Sequence, residues 1–170
     1  MSNRTRGTRF EEEFCEKLAE EGFWAHDMTQ GKAGQPADVI AVKDNLGYII
    51  DCKVCETERF DFSRVEPNQE AAMRLWQDCG NTECYFAIKY QDQIYMISYP
   101  VLDALEFMFH QSSVKVTMLK KFEEWVHEHT NRVTDHNRKT IRQREAVVQG
   151  RAKHRKPGLY QKGKNGFLDG

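Results

Sequence analysis

The sequence predicts an α/β fold, a mixed central sheet flanked by helices, followed by a basic C-terminal extension. Three observations point to it. Apolar residues recur with helical spacing in some segments and alternate with strand spacing in others, in the order helix, strands, helix, strands. The 170 residues, 39% apolar and 30% charged, suffice for one compact domain with a core. Charge is unevenly divided: from Asn131 onward 11 lysines and arginines face three acids, so that stretch carries +8 and the remainder of the −1 chain carries −9. We therefore read 1–130 as the domain and 131–170 as a basic, partly flexible tail suited to an anionic partner.

The elements follow in order. Thr8 to Glu21 reads as an amphipathic helix, with Phe10, Phe14 and Leu18 on one face, Thr8-Arg9-Phe10-Glu11 as a capping box and Gly22 as its stop. Phe23 to Met28 alternates weakly, as a short edge strand does. Thr29 to Pro36, with its glycines and proline, is a loop. Asp38 to Val42 and Tyr48 to Val54 are strands joined by a turn at Asp44–Gly47, the second apolar enough to be central. Glu56 to Val65 reads as irregular. A helix starts near Glu66-Pro67, proline being tolerated in a first turn, and stops at Gly80. Glu83–Tyr90 and Gln93–Tyr99 read as a hairpin, Pro100–Phe109 as an apolar helix, Val114–Leu119 as a strand and Lys120–His129 as a last helix.

Some classes are excluded or disfavoured. No apolar run is long enough to span a bilayer, and the polar, basic start lacks the apolar core of a secretory signal, so a cytoplasmic protein is expected. Five cysteines, an odd count, argue against a disulfide framework. Cys52-Lys53-Val54-Cys55 has CxxC spacing, but Cys79 and Cys84 make a poor second pair; buried apolar thiols are the preferred reading over structural zinc. The six histidines are scattered. Trp24, Trp76 and Trp125 fit amphipathic patterns and read as core.

One constellation carries chemistry. Successive strand residues face opposite ways, so Asp51 and Lys53 share a face while Cys52 takes the other. Charge on a buried strand is costly unless it is paired or metal-bound. Asp38 begins the preceding strand, and a short hairpin brings it within reach of Asp51. Two neighbouring carboxylates repel, and a hard divalent cation such as Mg²⁺ relieves the repulsion. Residue by residue, an Asp51–Lys53 ion pair and a strand-end Asp38 explain the same letters; the combination favours chemistry.

Pro36-Ala37-Asp38 followed by Asp51-Cys52-Lys53 resembles the signature of the PD-(D/E)XK nuclease superfamily, with Ala37 inserted. Gly7-Thr8-Arg9-Phe10-Glu11 resembles its first-helix motif. Asn68-Gln69 resembles the glutamine that opens the second helix in its Holliday-junction resolvases, and the basic Asn3-Arg4…Arg6-Gly7 is similar to those resolvases, both bacterial RecU-type and archaeal. The likeness covers Asn3 to Tyr90, about half the chain. It implies a restriction-endonuclease-like core (αβββαβ) and a set of roles. Asp38, Asp51 and the Cys52 carbonyl would hold Mg²⁺, with Mn²⁺ as a substitute. Glu11, or alternatively Glu12, would position a second metal or its water. Lys53 would orient or deprotonate the attacking water, and Gln69 would hold that water or Lys53. Arg4, Arg6 and Arg9, with Lys32 in the loop, would meet DNA phosphates; Arg138, Lys139, Arg142 and Arg144 would do so from the tail.

The expected function is metal-dependent hydrolysis of DNA by a structure-selective Holliday-junction resolvase of recombination and repair, cellular or prophage. The expected partner is branched DNA, and the expected assembly a homodimer that joins through the apolar helix Pro100–Phe109. The alternatives are a restriction-like or repair endonuclease on the same core, or a non-catalytic nucleic-acid-binding module.

Overall fold

The computed structural model describes residues 3–28 and 35–130, with side chains described from Gly7 onward. The expectations for Lys32, for the side chains of Arg4 and Arg6, and for the tail with Arg138, Lys139, Arg142 and Arg144 lie outside the described residues. Helix α1 spans Asn3–Glu20. It starts five residues before the expected Thr8, so Thr8 and Glu11 sit inside the helix and the capping box there is overturned. Gly22, at φ +79°, ends it in the left-handed conformation that glycine takes without a steric penalty.

Six strands form the main sheet in the order β1-β2-β3-β5-β6-β8. These are β1 (Trp24–Asp27), β2 (Val39–Lys43), β3 (Leu46–Cys55), β5 (Cys84–Tyr90), β6 (Gln93–Ser98) and β8 (Lys120–Lys121). All neighbours are antiparallel except β3 and β5. A parallel pair needs a crossover, supplied here by α2 (Pro67–Asp78). The expected irregular stretch after β3 is instead ordered. It holds β4 (Arg59–Asp61), paired with β7 (Ser113–Lys115) in a separate two-stranded sheet, and a 3₁₀ turn at Phe62–Arg64. The expected strand Val114–Leu119 resolves into the end of β7, a 3₁₀ turn at Val116–Met118 and the approach to β8. Helix α3 covers Tyr99–Phe107, and α4 covers 122–130. The αβββαβ order of the core holds.

Two apolar clusters lie on opposite faces of the sheet. On one, Phe10, Phe14 and Leu18 of α1 pack with Tyr48, Ile50 and Cys52 of β3 and with Trp125 of α4. Trp125 is 2% exposed and stacks between Phe23 and Phe122 at centroid distances of 5.7 and 6.0 Å. On the other face, Ile49 and Cys55 of β3 pack with Phe86 and Ile88 of β5, Met73 of α2 and Leu102 of α3. Each such side chain removed from water stabilises the fold by roughly 1.5–3 kcal/mol. Cys52 and Cys55 therefore face different clusters, which excludes joint ligation of one ion by the CxxC pair.

Helix α4 is tied to the sheet by a buried polar cluster. Glu83, Tyr85 and His129 are all buried. Tyr85 donates its hydroxyl proton to Glu83, and His129 Nε2 lies 3.0 Å from both Glu83 Oε2 and the Tyr85 hydroxyl. Burial alone would raise the Glu83 carboxyl, but hydrogen bonds to His129, Tyr85 and Thr82 outweigh it and hold the group down at about 2, against an ordinary 4.5. A depressed carboxyl adds stability that is present above its ordinary value and fades as pH falls toward the depressed one. Glu83→Gln is thus expected to destabilise the protein by about 3 kcal/mol at pH 7. Thermal melts of the two proteins should converge as pH drops from 4.5 toward 2; a gap of constant size would remove Glu83 as the anchor.

Candidate active site

β3 is the third strand of six, paired on both sides, and its period of two decides which groups can meet. Ile49, Asp51, Lys53 and Cys55 point toward α2, and Tyr48, Ile50 and Cys52 point toward α1. The β2–β3 ladder ends at Val39↔Ile50, so the next residue of each strand sets Asp38 beside Asp51. There the Asp38 side chain takes over from the ladder. Its Oδ2 accepts the Cys52 N–H at 2.7 Å, and its Oδ1 accepts from Gln35 Nε2 at 2.9 Å. A strand residue directs its N–H and C=O to the same neighbour, so the Cys52 carbonyl also opens on the Asp38 side.

Asp51 is fully buried. Its Oδ2 meets Lys53 Nζ at 2.8 Å but outside hydrogen-bonding geometry, and its Oδ1 has no donor. Burial first, then the neighbouring Asp38 carboxylate, push the group up to about 7, with Lys53 pulling the other way. Lys53 donates to Gln69 Oε1 at 3.0 Å. Gln69 is fixed in turn because it closes a capping box at the start of α2. Its Oε1 accepts the Glu66 N–H at 3.0 Å, and the Glu66 side chain accepts from the Gln69 backbone. The first turn of the crossover helix thereby sets the position of the lysine.

Glu11 is half-buried on α1, and its carboxyl is raised by burial, then by Asp38, Asp27 and Glu12, while Lys53 lowers it. Glu11 thus shares the electrostatic field of Asp38 and Lys53, whereas Glu12 is exposed. Of the residues expected at the site, the structure brings together Glu11, Asp38, Asp51, Lys53, Gln69 and the Cys52 backbone. Arg9 is exposed on α1. Trp24 departs from the core reading: it is 62% exposed on edge strand β1 and stacks on His26. Gln35 escaped the sequence reading, although it directly precedes Pro36, because a lone amide in a loop has no pattern.

Among the described residues, no three carboxylate, imidazole or thiolate groups stand close enough to cage an ion. The donor set instead consists of Asp51 Oδ1, buried without a donor, the Asp38 carboxylate next to it and a backbone carbonyl facing the same gap. That set fits a small hard cation, which commonly takes one or two carboxylates from the protein and the rest of its oxygens from water and substrate phosphate.

Residues 2–131 match the family model for archaeal Holliday junction resolvase (Hjc). Among solved structures, the chain is similar to the Holliday junction resolvase Hjc of Archaeoglobus fulgidus, an archaeal hyperthermophile, at 17% identity and a TM-score of 0.53. That match covers 71% of this chain and 95% of the other. No curated protein sequence matches the chain. With three quarters of its length matched by the family model, the chain belongs to the archaeal Holliday junction resolvase family.

The state of Asp51 can be tested in the metal-free protein. Its folded value of about 7 lies above the ordinary 3.8, so the group costs stability progressively as pH rises from 3.8 through about 7. In chelator, Asp51→Asn should match the parent protein near pH 4 and melt several degrees higher at pH 8. An asparagine variant that melts lower at pH 8 would mean that the buried carboxylate is not strained.

Proposed function

We propose that this chain is a magnesium-dependent endonuclease that cuts DNA at four-way junctions, acting in recombination or repair within the compartment that holds the DNA. The observation that carries the reading is the buried Asp51 beside Asp38, with Lys53 held against it by Gln69. An ordinary strand has no use for that costly pair of carboxylates. Family membership supports the junction as substrate.

Asp38, Asp51 and the Cys52 carbonyl are the groups that would hold Mg²⁺, or Mn²⁺ in its place, with Glu11 serving a second ion or its water. When bound, the ion supplies charge neutralisation at the phosphate and a more acidic water. The chain's own residues do the rest. Lys53 presents a cation where negative charge develops as water adds to phosphorus and one P–O bond breaks, and Gln69 keeps that cation from drifting. Asp38 and Asp51 keep the phosphate side of the site open to cations and hostile to a second unaccompanied anion. Arg9 on α1, and with it Arg4, Arg6, Lys32 and the tail cations, would meet phosphates without reading sequence.

A junction presents two equivalent strands, which suits a two-fold dimer. Val101, Phe107, Met108 and Phe109, on and just after α3, are all more than half exposed, and an exposed apolar patch of this kind suits a partner copy. We assign them to that interface.

Incubating the full chain and Mg²⁺ with labelled four-way junctions, flaps, plain duplex and single strands tests the substrate. Junctions should be cut in paired positions. Preferential cutting of flaps or plain duplex would favour a repair or restriction-like endonuclease on the same core. Asp38→Asn, Asp51→Asn and Lys53→Ala should each lower the rate by on the order of 100-fold or more while retaining the fold. Chelator should abolish cutting and Ca²⁺ should support it poorly; normal turnover by Lys53→Ala would sink the mechanism.

A further inference from the structure

A cleft of about 480 Å³ opens beside Lys53, walled by Gly7 of α1, by Cys52 and Val54 of β3, and by Arg59 and Arg64 of the β4 segment. We propose that this cleft holds the DNA backbone flanking the scissile phosphate, with the guanidinium groups of Arg59 and Arg64 as its phosphate contacts. The inference rests on the nuclease reading above and extends it to residues that no sequence motif marked.

Both guanidiniums are held by neutral acceptors. Arg64 donates through Nη2 to the Val54 carbonyl at 2.9 Å and through Nη1 to Cys55 Sγ at 3.0 Å. Arg59 donates through Nε and Nη2 to the single hydroxyl of Ser113, at 3.0 and 2.7 Å. A guanidinium has five N–H donors, so each keeps others to offer while its direction is fixed. Such a fork suits a phosphate, which accepts two parallel hydrogen bonds. Among the described residues, no ion pair to a carboxylate neutralises either group.

Position supports the assignment. Val54, which anchors Arg64, is three residues along β3 from Asp51, about 10 Å at the strand rise. One strand of a duplex carries a charge about every 3.4 Å of axis, so that length corresponds to at most about three nucleotide steps along the axis, which bounds the phosphate to the first three flanking positions. Lys53 lines the cleft and also contacts Asp51, so the groove is continuous with the carboxylate site. Glu56 and Asp61 share the lining. They repel a phosphate that is out of register, which restricts the anion to the two guanidiniums.

The test compares the full chain with the Arg59→Gln/Arg64→Gln double variant for junction binding across a salt series without divalent ions. Each lost phosphate contact should flatten the slope of log affinity against log salt by about 0.9, so a decrease of about one to two units is expected. Arg64→Lys, which keeps the charge but not the fork, should keep the slope while losing affinity several-fold. Junctions carrying a neutral methylphosphonate at the first, second or third flanking position identify the phosphate. At one of these positions the change should weaken binding of the parent protein and leave the variant's binding unaltered. An unchanged slope, or an equal methylphosphonate effect in both proteins, would overturn the proposal while leaving the nuclease reading intact. Absence of any DNA binding or cutting by the parent protein would overturn both. Should the double variant melt at lower temperature, the methylphosphonate series on the parent and on Arg64→Lys decides alone.

Discussion

The register of the β2–β3 hairpin is the constraint on which the rest of the site depends. The strands reverse through Asp44 and Asn45, both at positive φ, 52° and 67°, with Lys43 paired to Leu46. A two-residue reversal with both φ positive matches the right-handed twist of the flanking strands and permits little adjustment. It therefore determines that Asp38 ends beside Asp51. A slip of one residue would turn the whole strand over and put Asp38 on the α1 face. Gly47 lets α2 sit close on the same strand: a Cβ there would lie 3.2 Å from the Trp76 ring, which would have to give by a few tenths of an ångström. Since α2 carries Gln69, the turn, the glycine and the lysine's partner form one mechanical chain.

The sheet tolerates at Asp51 what it tolerates nowhere else along β3: a carboxyl group, ordinarily charged at neutral pH, in a fully buried position. Ile49, Ile50 and Cys52 around it keep water away, and that raises the cost of the carboxylate. A protein selected for stability alone would place an apolar residue there. The Asp38 carboxylate adds to the cost, and Lys53 offsets only part of it. Strain of this kind persists when the surroundings over-determine it, and here β2, β5 and α2 all confine the group.

Much of this was legible in the sequence, for reasons that differ by residue. Asp51 and Lys53 could be paired from strand periodicity alone, and Asp38 from the shortness of the turn. Gln69 was visible through resemblance; its physical role as a capping residue was not, because the box uses Glu66 as its first member and a glutamate at that position is unusual. The first turns of α1 were hidden because no apolar residue precedes Phe10 after Met1, and Gly7 inside the helix reads as a breaker. β4 was hidden because its partner β7 lies some fifty residues away, and such pairing leaves no local trace. Trp24 failed for the opposite reason: its alternation with Phe23 is real, but nothing among the described residues covers that side of the edge strand.

One edge of the main sheet is finished by β8, only two residues long, Lys120 and Lys121, both exposed. Short, lysine-bearing edges resist the addition of foreign strands. The carboxylate of Glu128 on α4 engages Lys120, which stiffens the cap. β6 behind it is almost wholly apolar, with Ile94, Tyr95, Met96 and Ile97 all buried, and would be an adhesive margin if laid bare. The two lysines thus act as a gatekeeper for the fold: they keep a protein rich in β-branched and aromatic strands from polymerising at that margin when it is concentrated on its substrate.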